Sequence, residues 1–92
     1  MKLFYLKNCP YCRQAFQWIE ELYQQNNQYQ QIPIETIEES EQSELADRYD
    51  YYYVPCFFEG QRKLHEGAVT KEEIQKIFEQ LFVTLPGKFK SA

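Results

Sequence analysis

Two cysteines near the amino terminus carry the clearest chemical signal of the chain. Cys9 and Cys12 are separated by two residues in the segment "NCPYC". At a strand-to-helix junction, Cys9 would lie at the helix N-terminus, where unpaired N–H groups and the helix dipole stabilise a thiolate. The thiolate is the attacking form, and Cys12, one turn further on, would be close enough to attack a mixed disulfide formed on Cys9. The pair therefore predicts thiol–disulfide exchange.

The neighbours of the pair fit this chemistry. Pro10 suits the first turn of a helix, where its missing N–H costs nothing. Lys7 and Arg13 bring positive charge that would favour a thiolate on Cys9, although both residues are equally suited to an ordinary surface. Tyr11 is expected to present its ring at the rim of the site, where a substrate peptide or thiol would rest.

The third cysteine stands far along the chain. Cys56 follows Pro55 in the segment "YYYVPCFF", residues 51–58. Three cysteines cannot all pair within one chain, and a close pair in a chain for which no secretion signal is predicted indicates redox or metal chemistry. Two roles for Cys56 stay open. It is either a small filler of the core or a third thiol that exchanges with Cys9 and Cys12.

The apolar patterns predict how these residues are positioned. Strands are predicted over residues 2–6, 32–38, 54–59 and 63–66. Helices are predicted over residues 12–25 and 40–49, and a third begins at a capping box of Thr70 and Glu73. The first strand–helix–strand unit requires a parallel crossover, whereas the later hairpin through Gly60 is antiparallel. The predicted fold is α/β, in the order β-α-β-α-β-β-α, with a mixed four-stranded sheet flanked by three helices.

The bulk properties limit the number of domains and the classes of partner. The 92 residues suffice for one domain, predicted over residues 1–82, with a tail over 83–92. A net charge of −4 and scattered basic residues argue against nucleic acid as a partner. The acidic run at residues 35–47 is predicted to be a solvated face. No signal peptide or membrane span is predicted, so a cytoplasmic location is expected.

Several segments resemble known proteins. The sequence Cys9-Pro10-Tyr11-Cys12 is identical to the active-site motif of dithiol glutaredoxins, and Val54-Pro55 matches the Val-Pro or Ile-Pro step of the thioredoxin superfamily. Residues 46–55 look like the helix end and loop that precede this proline in thioredoxins. Residues 67–78 resemble the thioredoxin segment of Gly-Ala, a Ser/Thr cap and the final helix. The chain thus resembles the thioredoxin-like superfamily over about residues 2–82. The resemblance implies a thioredoxin-like fold with a glutaredoxin-type active site.

The resemblance also implies roles for single residues. Cys9 would be the exposed nucleophile and Cys12 the resolving thiol. Pro55 would follow a cis peptide bond and lie against the cysteine pair, and the backbone of Val54 would pair with an extended substrate. Gly67 and Ala68 would form the far wall of the substrate groove.

The chain departs from both families. Glutaredoxins usually hold glutathione with a basic residue three positions before the first cysteine, but Lys7 lies two positions before Cys9. Thioredoxins usually carry an acidic residue in the first strand, and "KLFYL" offers none to take a proton from Cys12. These departures leave open whether glutathione or a thioredoxin reductase supplies the electrons.

The sequence therefore predicts a cytoplasmic thiol–disulfide oxidoreductase without a bound cofactor. Its substrate would be a disulfide-containing protein or a glutathione mixed disulfide, and a thiol such as glutathione or a reductase would restore it. One alternative is a metal or iron–sulfur binding module, for which Cys9, Cys12, Cys56 and His65 supply Cys₃His ligand types. Another is a non-catalytic domain that binds peptides in the Val54-Pro55 groove.

Overall fold

The computed structural model describes residues 1–83, in which four strands and three helices follow one another. The strands are β1 (Lys2–Tyr5), β2 (Glu35–Glu38), β3 (Cys56–Glu59) and β4 (Arg62–Glu66). The helices are α1 (Pro10–Gln25), α2 (Ser43–Ala46) and α3 (Lys71–Val83), with a short 3-10 helix at Asn27–Gln31. The order of strands and helices along the chain is β1-α1-β2-α2-β3-β4-α3.

The four strands form one open mixed sheet in the order β2-β1-β3-β4. Strand β2 pairs with β1 in parallel, because α1 carries the chain back to the starting edge. Strand β3 pairs antiparallel with both β1 and β4. Glu59 pairs with Arg62, which leaves a two-residue turn whose first residue, Gly60, has φ +60°. That left-handed backbone suits glycine at the first turn position of a hairpin. The architecture is therefore α/β with a mixed four-stranded sheet, as predicted.

Helices α1 and α3 cover one face of the sheet. Leu3 and Phe57 from the sheet are completely buried there. The helical members of this cluster are Ala15, Ile19, Leu22, Ile74, Ile77, Phe78 and Leu81. They repeat at helical spacing along α1 and α3, so each helix lays one apolar stripe on the sheet. This packing holds the N-terminus of α1 beside the end of β1.

A smaller aromatic cluster covers the opposite face. Phe4 is completely buried, and its ring centroid lies 4.8 Å from that of Tyr49 and 5.0 Å from that of Tyr51. Phe58 joins the same cluster, with α2 contributing Ala46. Since the adjacent residues Leu3 and Phe4 are both buried, the sheet is covered on both faces. Phe57 and Phe58 likewise point to opposite faces, as the strand pattern predicts.

Two elements are at least three residues shorter than predicted. The strand predicted over 32–38 is confined to β2, and the helix predicted over 40–49 is confined to the four residues of α2. For the helix, the reason lies at Glu38, whose carbonyl oxygen accepts the N–H groups of Glu41 and Gln42 and whose side chain accepts that of Ser40. These bonds wrap the chain around the end of β2 and leave little of the segment for a helix.

The final helix begins at the predicted capping box. The N–H of Glu73 donates to Thr70 Oγ1 at 3.1 Å, and the N–H of Thr70 donates to Glu73 Oε1 at 2.9 Å. Helix α3 continues through Val83, and the rest of the predicted tail, residues 84–92, lies outside the described residues. Among residues 1–83 no helix is long and apolar enough to cross a bilayer.

Candidate functional site

Cys9 is the N-cap residue of α1. Its backbone is extended (φ −92°, ψ 120°), its carbonyl oxygen accepts the N–H of Arg13 at 3.1 Å, and Pro10 opens the helix. The N–H of Cys9 donates to the Leu6 carbonyl oxygen, which ties the cysteine to the end of β1. The side chain makes no capping bond and is half-buried. Cys9 thus combines access from solvent with the favourable end of a helix dipole.

Cys12 lies behind Cys9 and starts the buried stripe of α1. Only 1% of the residue is exposed. Burial raises the pKa of the Cys12 thiol to about 12. The backbone N–H of Leu6 acts in the opposite direction, because its hydrogen bond favours the thiolate. The neighbouring Cys9 and the carboxylate of Glu39 raise this pKa further. Cys12 is therefore a protonated thiol at neutral pH in the dithiol form, whereas Cys9 is the accessible sulfur.

The loop before β3 borders the thiol. The sulfur of Cys9 lies 4.0 Å from the carbonyl oxygen of Val54, within reach of a weak S–H donor bond. The peptide bond between Val54 and Pro55 is cis, which the resemblance implied, and Pro55 is buried. The structure thus brings Cys9, Val54 and Pro55 together although about 45 residues of chain separate them.

The side chains predicted around the pair differ in where they lie. Tyr11 is 61% exposed beside Cys9, at the rim where it was predicted. Lys7 is also exposed, but its Nζ donates to Glu41 Oε2 at 2.8 Å, and this bond raises the pKa of Lys7. Its charge is therefore compensated by a surface carboxylate. Arg13 is exposed one turn into α1.

A cavity of about 310 Å³ opens next to the reactive cysteine. Its lining consists of Leu6, Lys7, Asn8, Cys9, Glu38 and Ser40. Two larger cavities of about 420 Å³ lie around α2 and have no cysteine in their linings. We assign the site to the smaller cavity because it contains the one half-buried thiol.

Glu38 shapes the loop that leads into Cys9. Its carboxylate accepts the N–H of Lys7 at 3.0 Å and both the N–H and the hydroxyl of Ser40 at 2.6 Å. These donors, the Ser40 hydroxyl first, hold the pKa of Glu38 at about 2. Only 4% of Glu38 is exposed, so the prediction of a solvated face over residues 35–47 is wrong at this position. Burial of this carboxylate is compensated by three hydrogen bonds, one from Lys7 in the loop before α1 and two from Ser40 in the turn after β2.

Glu39 is a second carboxylate that the sequence analysis did not single out. Its N–H donates to the carbonyl oxygen of Tyr5 at 2.9 Å, which sets it beside the end of β1. Its Oε1 accepts the hydroxyl of Tyr51 at 2.6 Å, and burial together with this bond raises the pKa of Tyr51. The backbone N–H of Leu6, the next residue, favours the thiolate of Cys12. The end of β1 thus lies between Glu39 and Cys12.

Cys56 belongs to the core. It is completely buried and packs with Phe4, Ile37 and Phe58 on the face of the sheet covered by α2. Cys12 lies on α1, which covers the other face. Burial raises the pKa of Cys56 to about 12. The expectation of a third exchanging thiol is therefore not supported by this placement, and Cys56 fills space in the α2-side cluster.

Gly67 directly follows β4 and lies next to the loop that precedes β3. Its φ is +88°, a conformation that L side chains rarely adopt, and its N–H donates to the carbonyl oxygen of Pro55 at 2.9 Å. A Cβ at this position would meet Tyr53 Cβ at 3.6 Å, which is ordinary contact. The backbone conformation by itself favours glycine at this position, and the role of Gly67 as a groove wall stays a prediction.

The four side chains considered as zinc ligands do not form one site. His65 instead bonds the carbonyl oxygen of Ala68 through Nε2 at 2.8 Å and lies 3.6 Å from Glu73. Within residues 1–83, no group of three or more His, Cys, Asp or Glu side chains is arranged to hold a metal ion. Cys9, Cys12 and Cys56 are free thiols.

Comparisons of the chain with protein-family models, with curated proteins and with solved structures found no match. The functional interpretation accordingly rests on the residues and their geometry.

Proposed function

We propose that this chain is a thiol–disulfide oxidoreductase with a thioredoxin-like fold and a glutaredoxin-type Cys-Pro-Tyr-Cys site. The observation that supports it best is the pairing of a half-buried Cys9 at the N-terminus of α1 with a buried Cys12 one turn later. The bordering carbonyl oxygen of Val54 adds a backbone acceptor for an extended substrate.

In the first proposed step, the thiolate of Cys9 attacks one sulfur of a substrate disulfide. The substrate S–S bond breaks, a new S–S bond joins Cys9 to one half of the substrate, and the other half leaves as a thiolate that takes up a proton. The helix dipole of α1 favours the attacking thiolate, and among residues 10–13 there is no acidic side chain to oppose it.

In the second proposed step, Cys12 attacks the sulfur of Cys9. The mixed disulfide breaks, the remaining substrate half leaves as a thiol, and a Cys9–Cys12 disulfide forms, so the substrate gains two electrons and the protein loses them. Because the buried thiol of Cys12 is protonated at neutral pH, this step needs a proton acceptor. We assign that role to Glu39, the carboxylate whose charge acts on Cys12. Because Glu39 Oε1 is bonded to the Tyr51 hydroxyl and no hydrogen bond within residues 1–83 joins Glu39 to Cys12, the proton would pass between them through solvent.

The proposed substrates are disulfide-containing proteins or glutathione mixed disulfides. A protein substrate is favoured by the charges near Cys9, since Lys7 is paired with Glu41 and the cavity contains the carboxylate of Glu38. Glutathione carries two carboxylates, and the cation in the lining of this cavity is Lys7, which is already paired. A thiol such as glutathione, or a thiol reductase, would restore the dithiol, and a cytoplasmic location would keep it reduced.

Steady-state turnover tests the proposal. The wild-type chain should reduce insulin and a glutathione mixed disulfide with dithiothreitol as reductant, and Cys9→Ser should lower the rate by about a hundredfold or more. Cys56→Ser is the matched control, because it removes a thiol that lies in the core, and should retain the rate. Wild-type turnover no faster than that of Cys9→Ser would refute the proposed activity. Replacing dithiothreitol with glutathione and its reductase, or with thioredoxin reductase, then identifies the electron donor.

A further inference from the structure

The carboxylate of Glu66 on β4 accepts hydrogen bonds from the loop before β3, which borders Cys9. Glu66 Oε2 accepts the backbone N–H of Tyr52 at 2.5 Å and that of Tyr53 at 2.9 Å. Its Oε1 accepts Lys63 Nζ at 2.7 Å. One-fifth of the Glu66 side chain is exposed, so the carboxylate lies at the surface but is largely covered. Each of its two oxygens is thereby engaged.

These bonds fix both ends of a short loop to the same end of β4. The side chain of Glu66 holds residues 52 and 53, and the N–H of the next residue, Gly67, holds the carbonyl oxygen of Pro55. Val54 lies between these two attachments. Its carbonyl oxygen is the backbone group next to the sulfur of Cys9. Tyr52 and Tyr53 are 86% and 70% exposed, so burial of these residues contributes little to holding the loop.

We propose that Glu66 is a positioning residue that holds the backbone of residues 52–54 against Cys9, so that a peptide substrate meets a preformed acceptor at Val54. The inference rests on the proposed function, because the loop matters only if a substrate reaches Cys9. Glu66 lies outside the thiol chemistry and acts through the backbone that it holds.

The charge on Glu66 suits this role. A carboxylate that accepts two backbone N–H groups forms stronger hydrogen bonds than a neutral acceptor. The bond from Lys63 and the N–H groups of Tyr52 and Tyr53 hold the pKa of Glu66 at about 2. The carboxylate is therefore ionised throughout the pH range in which disulfide exchange occurs. Its hydrogen bonds to the loop do not change with pH in that range.

Two substrates separate positioning from chemistry. A disulfide-linked peptide can pair with the loop backbone, whereas 2-hydroxyethyl disulfide has no peptide backbone to pair. Glu66→Gln keeps the size of the side chain and removes its charge, and we expect it to raise KM for the peptide about five- to tenfold with kcat changed less than about twofold. Turnover of 2-hydroxyethyl disulfide should stay at the wild-type level. Glu66→Ala should have a larger effect on KM than Glu66→Gln.

Two control variants and one structural measurement complete the test. Lys63→Gln breaks the ion pair but leaves both loop N–H groups with their acceptor, so the peptide KM should stay near wild type. Glu59→Gln, a change at an exposed acid on the same hairpin, should also have no effect. In amide NMR spectra, the signals of Tyr52 and Tyr53 should shift and exchange faster with solvent in Glu66→Gln.

Unchanged Tyr52 and Tyr53 amides, or an equal loss of activity on both disulfides, would overturn the proposed role of Glu66. A wild-type chain that reduces neither disulfide faster than Cys9→Ser would instead overturn the proposed function. In that case the NMR comparison still decides whether Glu66 holds the loop.

Discussion

At the scale of single residues, the two thiols of the site differ because of where each lies on α1. Cys9 caps the helix and keeps part of its side chain in solvent, whereas Cys12 begins the buried stripe. Removal from water disfavours the charged form of a thiol, which is why burial raises the pKa of Cys12. One thiol is thus available to an incoming disulfide while the other is kept for the second step.

Alkylation of the reduced chain should follow this difference. The pKa values of Cys12 and Cys56 are about 12, so below that pH both sulfurs are held as unreactive thiols, and both are also shielded from reagent. We expect iodoacetamide at pH 7 to modify Cys9 at least about tenfold faster than either of the others. Peptide mapping by mass spectrometry measures each rate. Modification of Cys56 as fast as that of Cys9 would contradict its placement in the core.

A second prediction at this scale concerns the proton of Cys12. Glu39→Gln removes the proposed acceptor while keeping the bond to the Tyr51 hydroxyl available, and we expect the release of substrate from the mixed disulfide to slow about tenfold or more. The first attack by Cys9 should be little changed, so rapid quenching should reveal accumulated mixed disulfide.

The matched control for this prediction is Glu35→Gln, which neutralises an exposed carboxylate at the start of β2, the strand that ends one residue before Glu39. Equal kinetics for Glu39→Gln and Glu35→Gln would mean that another group accepts the proton.

At the scale of elements, the loop between β1 and α1 is held by the end of β2. Glu38 accepts the N–H of Lys7 from that loop and two donors of Ser40 from its own turn. Parallel pairing of β1 with β2 brings their carboxyl ends to the same edge of the sheet, where loops commonly build sites. A single side chain thereby joins the approach to Cys9 with the turn before α2.

Acid unfolding should report on this link. The pKa of Glu38 is lowered from 4.5 to about 2, so its ionised form stabilises the folded chain above pH 4.5, and that contribution is lost as the pH falls toward 2. Glu38→Gln removes the contribution at neutral pH, and we expect its acid-unfolding midpoint to rise by about half a pH unit or more. Circular dichroism during acid titration measures the midpoint, with Glu35→Gln as the control. Superimposable titration curves for the two variants would contradict the structural role of Glu38.

At the scale of the whole molecule, the sequence predicts the arrangement of elements better than their lengths. Periodic apolar residues identify α1 and α3, because both helices place a stripe on the sheet. The length of α2 could not be predicted in this way. Leu45, Ala46 and Tyr49 pack on the sheet as an apolar pattern predicts, but hydrogen bonds to Glu38 take up the residues before them. Local patterns report burial along one element and are silent about such bonds.

Some residues of the candidate site can be recognised in the sequence, and others cannot. The spacing of Cys9 and Cys12 and the Val54-Pro55 step are visible in the sequence, and the structure brings them together. Glu39 and Glu66 are not recognisable, because their partners lie 12 to 14 residues away and become neighbours only after folding. The role of Cys56 depended on which face of β3 it occupies, and the strand register decides that.

The central claim is that Cys9 attacks a disulfide and that Cys12 resolves the product. The most direct measurement is mass spectrometry of Cys12→Ser after incubation with a disulfide-linked peptide. We predict one peptide half attached to Cys9 in this variant, and a Cys9–Cys12 disulfide without attached peptide in the wild-type chain. A variant that carries no peptide, or that carries it on Cys56, would contradict the account.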